Sequence, residues 1–234
     1  MSNLNLNIVT GCADRVAVRN VLVSVADKRG LEDFIPRLVA GCPGIRIFST
    51  GGSLAALEKI LGDKARGTLA SVSDYTGQPE MQGGLVKTLD FKIYLGLLSE
   101  ADNPAHQADL KRANALAFDM VVVNLYPFAK AIAAANATAE SARTNIDIGG
   151  PCMVRASAKN YLRVASVTDP ADYAAVAAEL AANNGTLGFA TRFGLMQKAF
   201  RLTAQYDAAI AAHFGAMNVL NACAAYNGVR RSTS

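Results

Sequence analysis

Six consecutive residues near the middle of the chain, Met120-Val121-Val122-Val123-Asn124-Leu125, leave little choice of architecture: five are apolar, and Tyr126-Pro127 ends the run. A strand with one face in water alternates apolar and polar residues, whereas a strand apolar throughout has both faces covered. Residues 16–25 are built the same way, mostly β-branched or aliphatic and continuous rather than alternating. Strands of this kind belong to parallel sheets, whose crossover helices cover both faces.

The segments between the strands supply those helices. Asp27-Lys28-Arg29-Gly30 breaks the first run, and Leu31, Phe34, Ile35, Leu38 and Val39 then recur at helical spacing, with Pro36 arguing against a straight helix. Residues 45–49 read as a second strand ending in Thr50-Gly51-Gly52-Ser53, after which Leu54, Leu57, Ile60 and Leu61 carry another helix. A third strand is expected within residues 67–72. The loop 73–84 follows, holding Gly77, Pro79, Gly83 and Gly84, and loops of that length in a compact domain usually serve function. A short apolar stretch at 85–89 is interrupted by Lys87. Residues 104–117 read as a helix, 163–167 as a strand, 170–182 as a helix, 191–213 as a long helical tract and 214–225 as one more helix. Residues 1–15 read as an arm and 227–234 as a disordered end. The alternation predicts an α/β fold with a mainly parallel sheet between two helical layers.

Composition narrows the function. With 51% hydrophobic residues among 234, the chain can bury a sizeable core, yet no window reaches the 18 uncharged apolar residues of a membrane span. Its start, Met1-Ser2-Asn3-Leu4, lacks a basic region followed by an apolar one, so a soluble, cytoplasmic protein is expected. Cys12, Cys42, Cys152 and Cys223 are scattered, which signals neither a disulfide framework nor a zinc site. No tryptophan and only two histidines, His106 and His213, argue against stacking grooves and histidine-rich metal sites. The net charge of +4 carries basic residues only in isolated pairs, which suits an anionic small molecule better than a nucleic acid.

In open α/β sheets ligands bind beyond the carboxyl edge of the strands, and the polar residues of this chain gather there. Thr50, Gly51, Gly52 and Ser53 make a strand-to-helix turn whose glycines and helix start suit a phosphate, and Lys28 adds a formal charge at a neighbouring strand end. Lys87 with Thr88, and Asn124 with Tyr126, fall at the same edge or in adjoining loops. Downstream, Asn145-Ile146-Asp147-Ile148-Gly149-Gly150-Pro151 opens a helix that reaches Lys159, and Pro suits a first turn because its missing N–H would be unpaired there. Asp147 can accept a proton, with Lys159 returning about three turns on. The plainer reading makes Asp147 a complement to the helix start and Lys159 a solvated residue, and spacing alone leaves both open.

At this point the strings resemble a family. Ser24-Val25-Ala26-Asp27-Lys28, Ser49-Thr50-Gly51-Gly52, Val72-Ser73-Asp74-Tyr75-Thr76-Gly77-Gln78-Pro79-Glu80-Met81, Val86-Lys87-Thr88-Leu89, Val123-Asn124-Leu125-Tyr126-Pro127-Phe128 and residues 145–160 are similar to the IMP cyclohydrolase domain of the bifunctional purine-biosynthesis protein. Thr191-Arg192-Phe193 and Gln205-Tyr206-Asp207-Ala208-Ala209-Ile210 are similar to its closing helices. The resemblance implies a single domain over 1–234 with a short N-terminal arm and a C-terminal helical extension. It also implies a three-layer, methylglyoxal-synthase-like α/β/α fold and ring closure of the formylated aminoimidazole carboxamide ribotide to IMP with loss of water. No cofactor or metal is implied; a homodimer is.

By the same resemblance, catalysis falls to Lys87, Tyr126, Asp147 and Lys159. Nucleotide contacts fall to Ala26, Asp27, Lys28, Thr50, Gly51, Gly52, Ser53, Thr88, Val123, Asn124, Ile148 and Gly149. A carboxylate suits the carboxamide nitrogen that must lose a proton, and an ammonium and a phenol suit the formyl oxygen that leaves as water. The chain departs from the family in having Leu85 for arginine, Asp90-Phe91 for histidine-proline, Tyr94 for histidine and Ala26 for serine. The arginine lost at Leu85 removes a cation expected to meet the nucleotide, and Asp90 adds a negative charge nearby, so binding is expected to be weaker unless Lys92 or another cation substitutes. The folate-dependent transformylase domain that usually follows is missing, which fits a separate transformylase partner. The alternatives are a nucleotide-binding or regulatory module without turnover, and a methylglyoxal synthase or related phosphate lyase.

Overall fold

β2 (Asn20–Val25) is the hinge of the architecture. In the computed structural model, which describes residues 9, 11–79, 81, 87–133, 137–224 and 226, it lies at the centre of a five-stranded sheet. The strand order is β4 (Leu69–Ser71), β3 (Arg46–Ser49), β2, β5 (Met120–Asn124), β6 (Ala165–Val167), and every pairing is parallel. Residues 1–8 of the expected arm, Gly83, Gly84, Leu85 and the end 227–234 lie outside the described residues.

Both faces of the sheet are covered, which is why its strands read as unbroken apolar runs. Val21, Val23, Val25, Met120 and Val122 face one core with α1 (Leu31–Gly41), α2 (Gly51–Leu61) and α9 (Tyr173–Ala182). Leu22, Val121, Val123 and Leu125 face the other, with α4 (Phe91–Leu98), α8 (Gly149–Lys159) and α10 (Phe189–Gly215). Alternation persists in direction and disappears in polarity. The fold is the expected three-layer α/β/α sandwich with C-terminal helices.

Four local expectations change. Residues 16–25 are not one strand: β1 (Arg15–Ala17) pairs antiparallel with β7 (Thr186–Gly188). The chain changes partners at Val18 and Arg19, where the Val18 N–H donates to Gly185 O at 2.9 Å and Arg19 O accepts from the Arg46 N–H at 2.8 Å. α1 runs through Pro36, which sits on its exposed face so that the carbonyl it leaves unpaired meets water. The loop from 73 begins as α3 (Val72–Thr76), capped by Ser71 Oγ and stopped by Gly77 at φ +78°. α5 (Pro104–Arg112) ends short of residue 117, where Asn114 turns left-handed at φ +48°. Two short helices, α6 (Phe128–Ile132) and α7 (Ala139–Thr144), join β5 to α8, and α11 (Val219–Cys223) closes the described chain.

Candidate active site

Strands β2, β3 and β4 run out to one side and β5 and β6 to the other, so the order reverses between β2 and β5. The crevice at such a reversal is where α/β sheets hold ligands. A cavity of about 430 Å³ opens there, lined by the ends of β2, β3 and β5, the turn into α2, the segment from Lys87 to Leu89, and the turn into α8.

One wall is cationic. Gly51 takes φ +53°, and a methyl group added to it would stand 3.1 Å from the Lys87 ammonium; one added to Gly52 would stand 3.8 Å from that of Lys28. Two ammonium groups therefore flank the first turn of α2, whose N–H groups and dipole already favour an anion. Thr50, 9% exposed, lines this region, and its buried Oγ1 has no hydrogen-bond partner among the described residues. Ser53 lines the wall differently: its hydroxyl accepts from the Val25 N–H at 2.9 Å and donates to Val25 O, fastening α2 to β2.

The opposite wall carries the carboxylate. Asp147 Oδ1 accepts from the Gly150 N–H at 3.0 Å, and the Tyr126 backbone N–H also faces the group. Burial pushes its pKa above the ordinary carboxylate range against the pull of these two donors. A methyl group on Gly150 would overlap Asp147 Oδ2 and stand 2.8 Å from Leu125 Cδ2, so glycine is what lets the carboxylate lie over the helix start. Asp147 thus binds the first turn of α8 from just outside it and lines the cavity at once. The phenol of Tyr126 borders the same space. Thr88 Oγ1 packs so closely on Gly149 that a methyl there would stand 2.6 Å away.

The structure brings Ala26, Lys28, Thr50, Gly51, Gly52, Ser53, Lys87, Thr88, Asn124, Tyr126, Asp147, Ile148 and Gly149 to one cavity. Three expected members stand elsewhere. Val123 is buried in the core behind β5. Asp27 turns its carboxylate to Arg29, 2.5 Å away, and the hydrogen bond from that guanidinium holds it down to about 2. Lys159 does not return to the cavity: it is exposed in the last turn of α8, ten residues beyond Gly149, which is about 15 Å along a straight helix. The side chain of Asn124 is occupied by the backbone of Asp27, accepting from its N–H and donating to its carbonyl, both at 2.8 Å.

The departures at 90, 92 and 94 also find places. Asp90 caps α4, its Oδ1 accepting from the Lys92 N–H at 2.7 Å, and so is not aimed at the cavity. Lys92 donates to Tyr75 O at 3.4 Å and lies over the Tyr75 ring, so it does not stand in for a missing cation. The Tyr94 hydroxyl is buried beside Cys152, and burial raises its pKa. Thr144, Ile146, Gly150 and Met153 line the cavity without having been singled out. Tyr206, further still in sequence, accepts from the Asp147 N–H at 2.7 Å. Among the described residues no group of three His, Cys, Asp or Glu could hold a metal ion, and no helix is long and apolar enough to cross a membrane.

Known proteins are similar to this chain in sequence and in fold. A family model described as the MGS-like domain matches residues 30–152, more than half of the chain. The chain belongs to the MGS-like domain family. Beyond that domain, a model described as the AICARFT/IMPCHase bienzyme matches residues 157–232 of this MGS-like chain. The bifunctional purine biosynthesis protein PurH of Neisseria meningitidis serogroup A is 50% identical over 194 residues, covering 83% of this chain and 35% of that relative. PurH of Neisseria gonorrhoeae is 49% identical over 193 residues, covering 82% of this chain and 35% of that one. The chain therefore spans about a third of the length of these curated relatives. The crystal structure of ForH superposes with a TM-score of 0.71 at 28% identity, over 85% of this chain and all of that one. The resemblance carried by the strings around Lys28, Lys87, Tyr126 and Asp147 is borne out, and with it the fold.

Proposed function

We propose that the chain is an IMP cyclohydrolase of purine biosynthesis, closing the six-membered ring of the formylated aminoimidazole carboxamide ribotide. The observation that supports this most is the polarity of one cavity: two ammonium groups at a glycine helix start on one wall, a buried carboxylate and a phenol on the other. The phosphate sits at the α2 turn between Lys28 and Lys87, and the base reaches toward Asp147 and Tyr126. The carboxamide nitrogen forms a bond to the formyl carbon and gives up a proton, which a carboxylate of raised pKa is suited to take. The formyl oxygen gains negative charge, is stabilised by Lys87 and the Tyr126 hydroxyl, and departs as water carrying that proton and the one the formamide nitrogen releases as the ring C=N forms. Proton and oxygen balance without oxidant or cofactor.

In this reading Lys159, outside the cavity, has no direct part in the chemistry, although the resemblance places it there. Lys159→Ala decides between the two: full turnover favours the cavity, and a loss of a hundredfold or more returns Lys159 to the mechanism. The cytoplasm as location, a homodimer, and a transformylase activity supplying the substrate belong to the same proposal. The experiment is to follow IMP formation by absorbance on adding the formylated ribotide to the purified chain. Turnover that falls at least a hundredfold in Lys87→Met supports the reading; no turnover by the unaltered chain ends it. The alternative of binding without turnover drew on Leu85 and Asp90; Leu85 lies outside the described residues, and Asp90 caps a helix instead of opposing the ligand.

A further inference from the structure

Asp147 follows an irregular turn after α7 in which the Asn145 N–H donates to Ala142 O and the Ile146 N–H to Arg143 O, both at 3.2 Å. Ile148, the residue capping α8, offers no side-chain hydrogen bond to the helix, and its own carbonyl is taken by the Cys152 N–H. The Asp147 carboxylate is turned onto Gly150. Its backbone N–H is held from outside, by a residue 59 positions away: the Tyr206 hydroxyl, delivered by α10, accepts that hydrogen bond at 2.7 Å. Tyr206 is 8% exposed, and its ring meets Phe128 edge to face at 6.3 Å, so the hydroxyl has little freedom to leave. It does not line the cavity.

We propose that Tyr206 is a positioning residue for the reaction, clamping the Asp147 turn so that the carboxylate points across the cavity at the reacting nitrogen. This rests on the cyclohydrolase reading. The long closing helix is thereby part of the site although none of it lines the cavity. The phenol acts through the backbone of Asp147, and a small misplacement of a proton acceptor is costly to rate while leaving ligand binding at the α2 turn intact.

Tyr206→Phe keeps the ring and its contact with Phe128 and removes only the oxygen. The expected result is a kcat lowered about tenfold with the KM for the ribotide within threefold. That loss should vanish when the same change is made in Asp147→Asn, because two groups acting as one unit are not additive. A kcat unchanged by Tyr206→Phe, or an equal loss in both backgrounds, overturns the proposal. Two readouts need no substrate: exchange of the Asp147 amide hydrogen, expected at least tenfold faster in Tyr206→Phe, and the carbon-13 titration of the Asp147 carboxyl, expected to move toward the ordinary range as the turn opens to water. The titratable groups that interact with that carboxyl are Tyr94 of α4 and Tyr206 of α10, and Tyr126, Lys28 and Lys87 share its cavity. Unchanged exchange and titration overturn the clamp whether or not the chain turns over the ribotide. Absent turnover by the unaltered chain sinks the cyclohydrolase reading alone.

Discussion

At Gly150 the absence of a single carbon lets a carboxylate occupy a helix start. An added Cβ would collide with Asp147 and press on Leu125. Gly150→Ala is therefore expected to cost about 1–3 kcal/mol in urea unfolding and at least a hundredfold in turnover. Gly44→Ala has no neighbour to strike and only a positive φ to strain, so it should leave turnover unchanged. Asp147 itself is predicted to act against stability. Its proton is held more tightly in the folded chain than near the unfolded value of 3.8, so ionising it costs nothing at acid pH and progressively more as pH rises through its folded value. Asp147→Asn, which can still accept from the Gly150 N–H, should be the more stable protein at neutral pH while losing turnover. That advantage should fade below about pH 3.8; urea melts at pH 3.5 and 7.5 that show the opposite trend would contradict the burial argument.

Elements meet at the site through bonds between strand ends. The Asn124 amide bridges both backbone groups of Asp27 and so ties the end of β5 to the loop that carries Lys28. Asn124→Ala removes two partly buried hydrogen bonds, at about 1–3 kcal/mol in total. Released from β5, the loop should hold Lys28 less well, raising KM for the ribotide about tenfold with kcat within a few fold. Asp27→Ala loses the exposed ion pair with Arg29 and one exposed bond from the Arg29 N–H at 3.0 Å, and should change both constants less than Asn124→Ala does. Steady-state kinetics on the two variants test whether loop geometry or the acidic side chain matters. Ser53 makes the comparable fastening between α2 and β2, which is why a serine at an anion-binding turn spends its hydroxyl on protein backbone.

For the molecule as a whole, α10 is the long brace, holding the Asp147 turn near one end and the β1–β7 ribbon near the other. Arg192, 1% exposed, donates to the carbonyls of Ala13, Tyr161, Leu162 and Leu187. Arg192→Met strips those buried and partly buried acceptors of their donor and should lower unfolding free energy by about 3 kcal/mol, read by chemical denaturation. Because Arg192 lies 14 residues from Tyr206, about 21 Å along the helix, turnover well below the melting temperature should survive. The layered sheet was legible in the sequence because covered strands and amphipathic helices are local patterns, visible in Met120-Val121-Val122-Val123 and in the spacing of Leu31 to Val39. So was the gathering of Lys28, Thr50, Lys87 and Tyr126 at one edge, since parallel strands all end on the same side. Which of these polar groups remain available to a ligand was not legible. Asn124 and Ser53 are engaged by backbone that only folding brings near, and Lys159 is carried off by the length of its own helix. Asp147 is held by a tyrosine 59 residues away. The chain alone determines polarity and periodicity; hydrogen bonds are allotted by proximity, and proximity between distant segments exists only in the folded molecule.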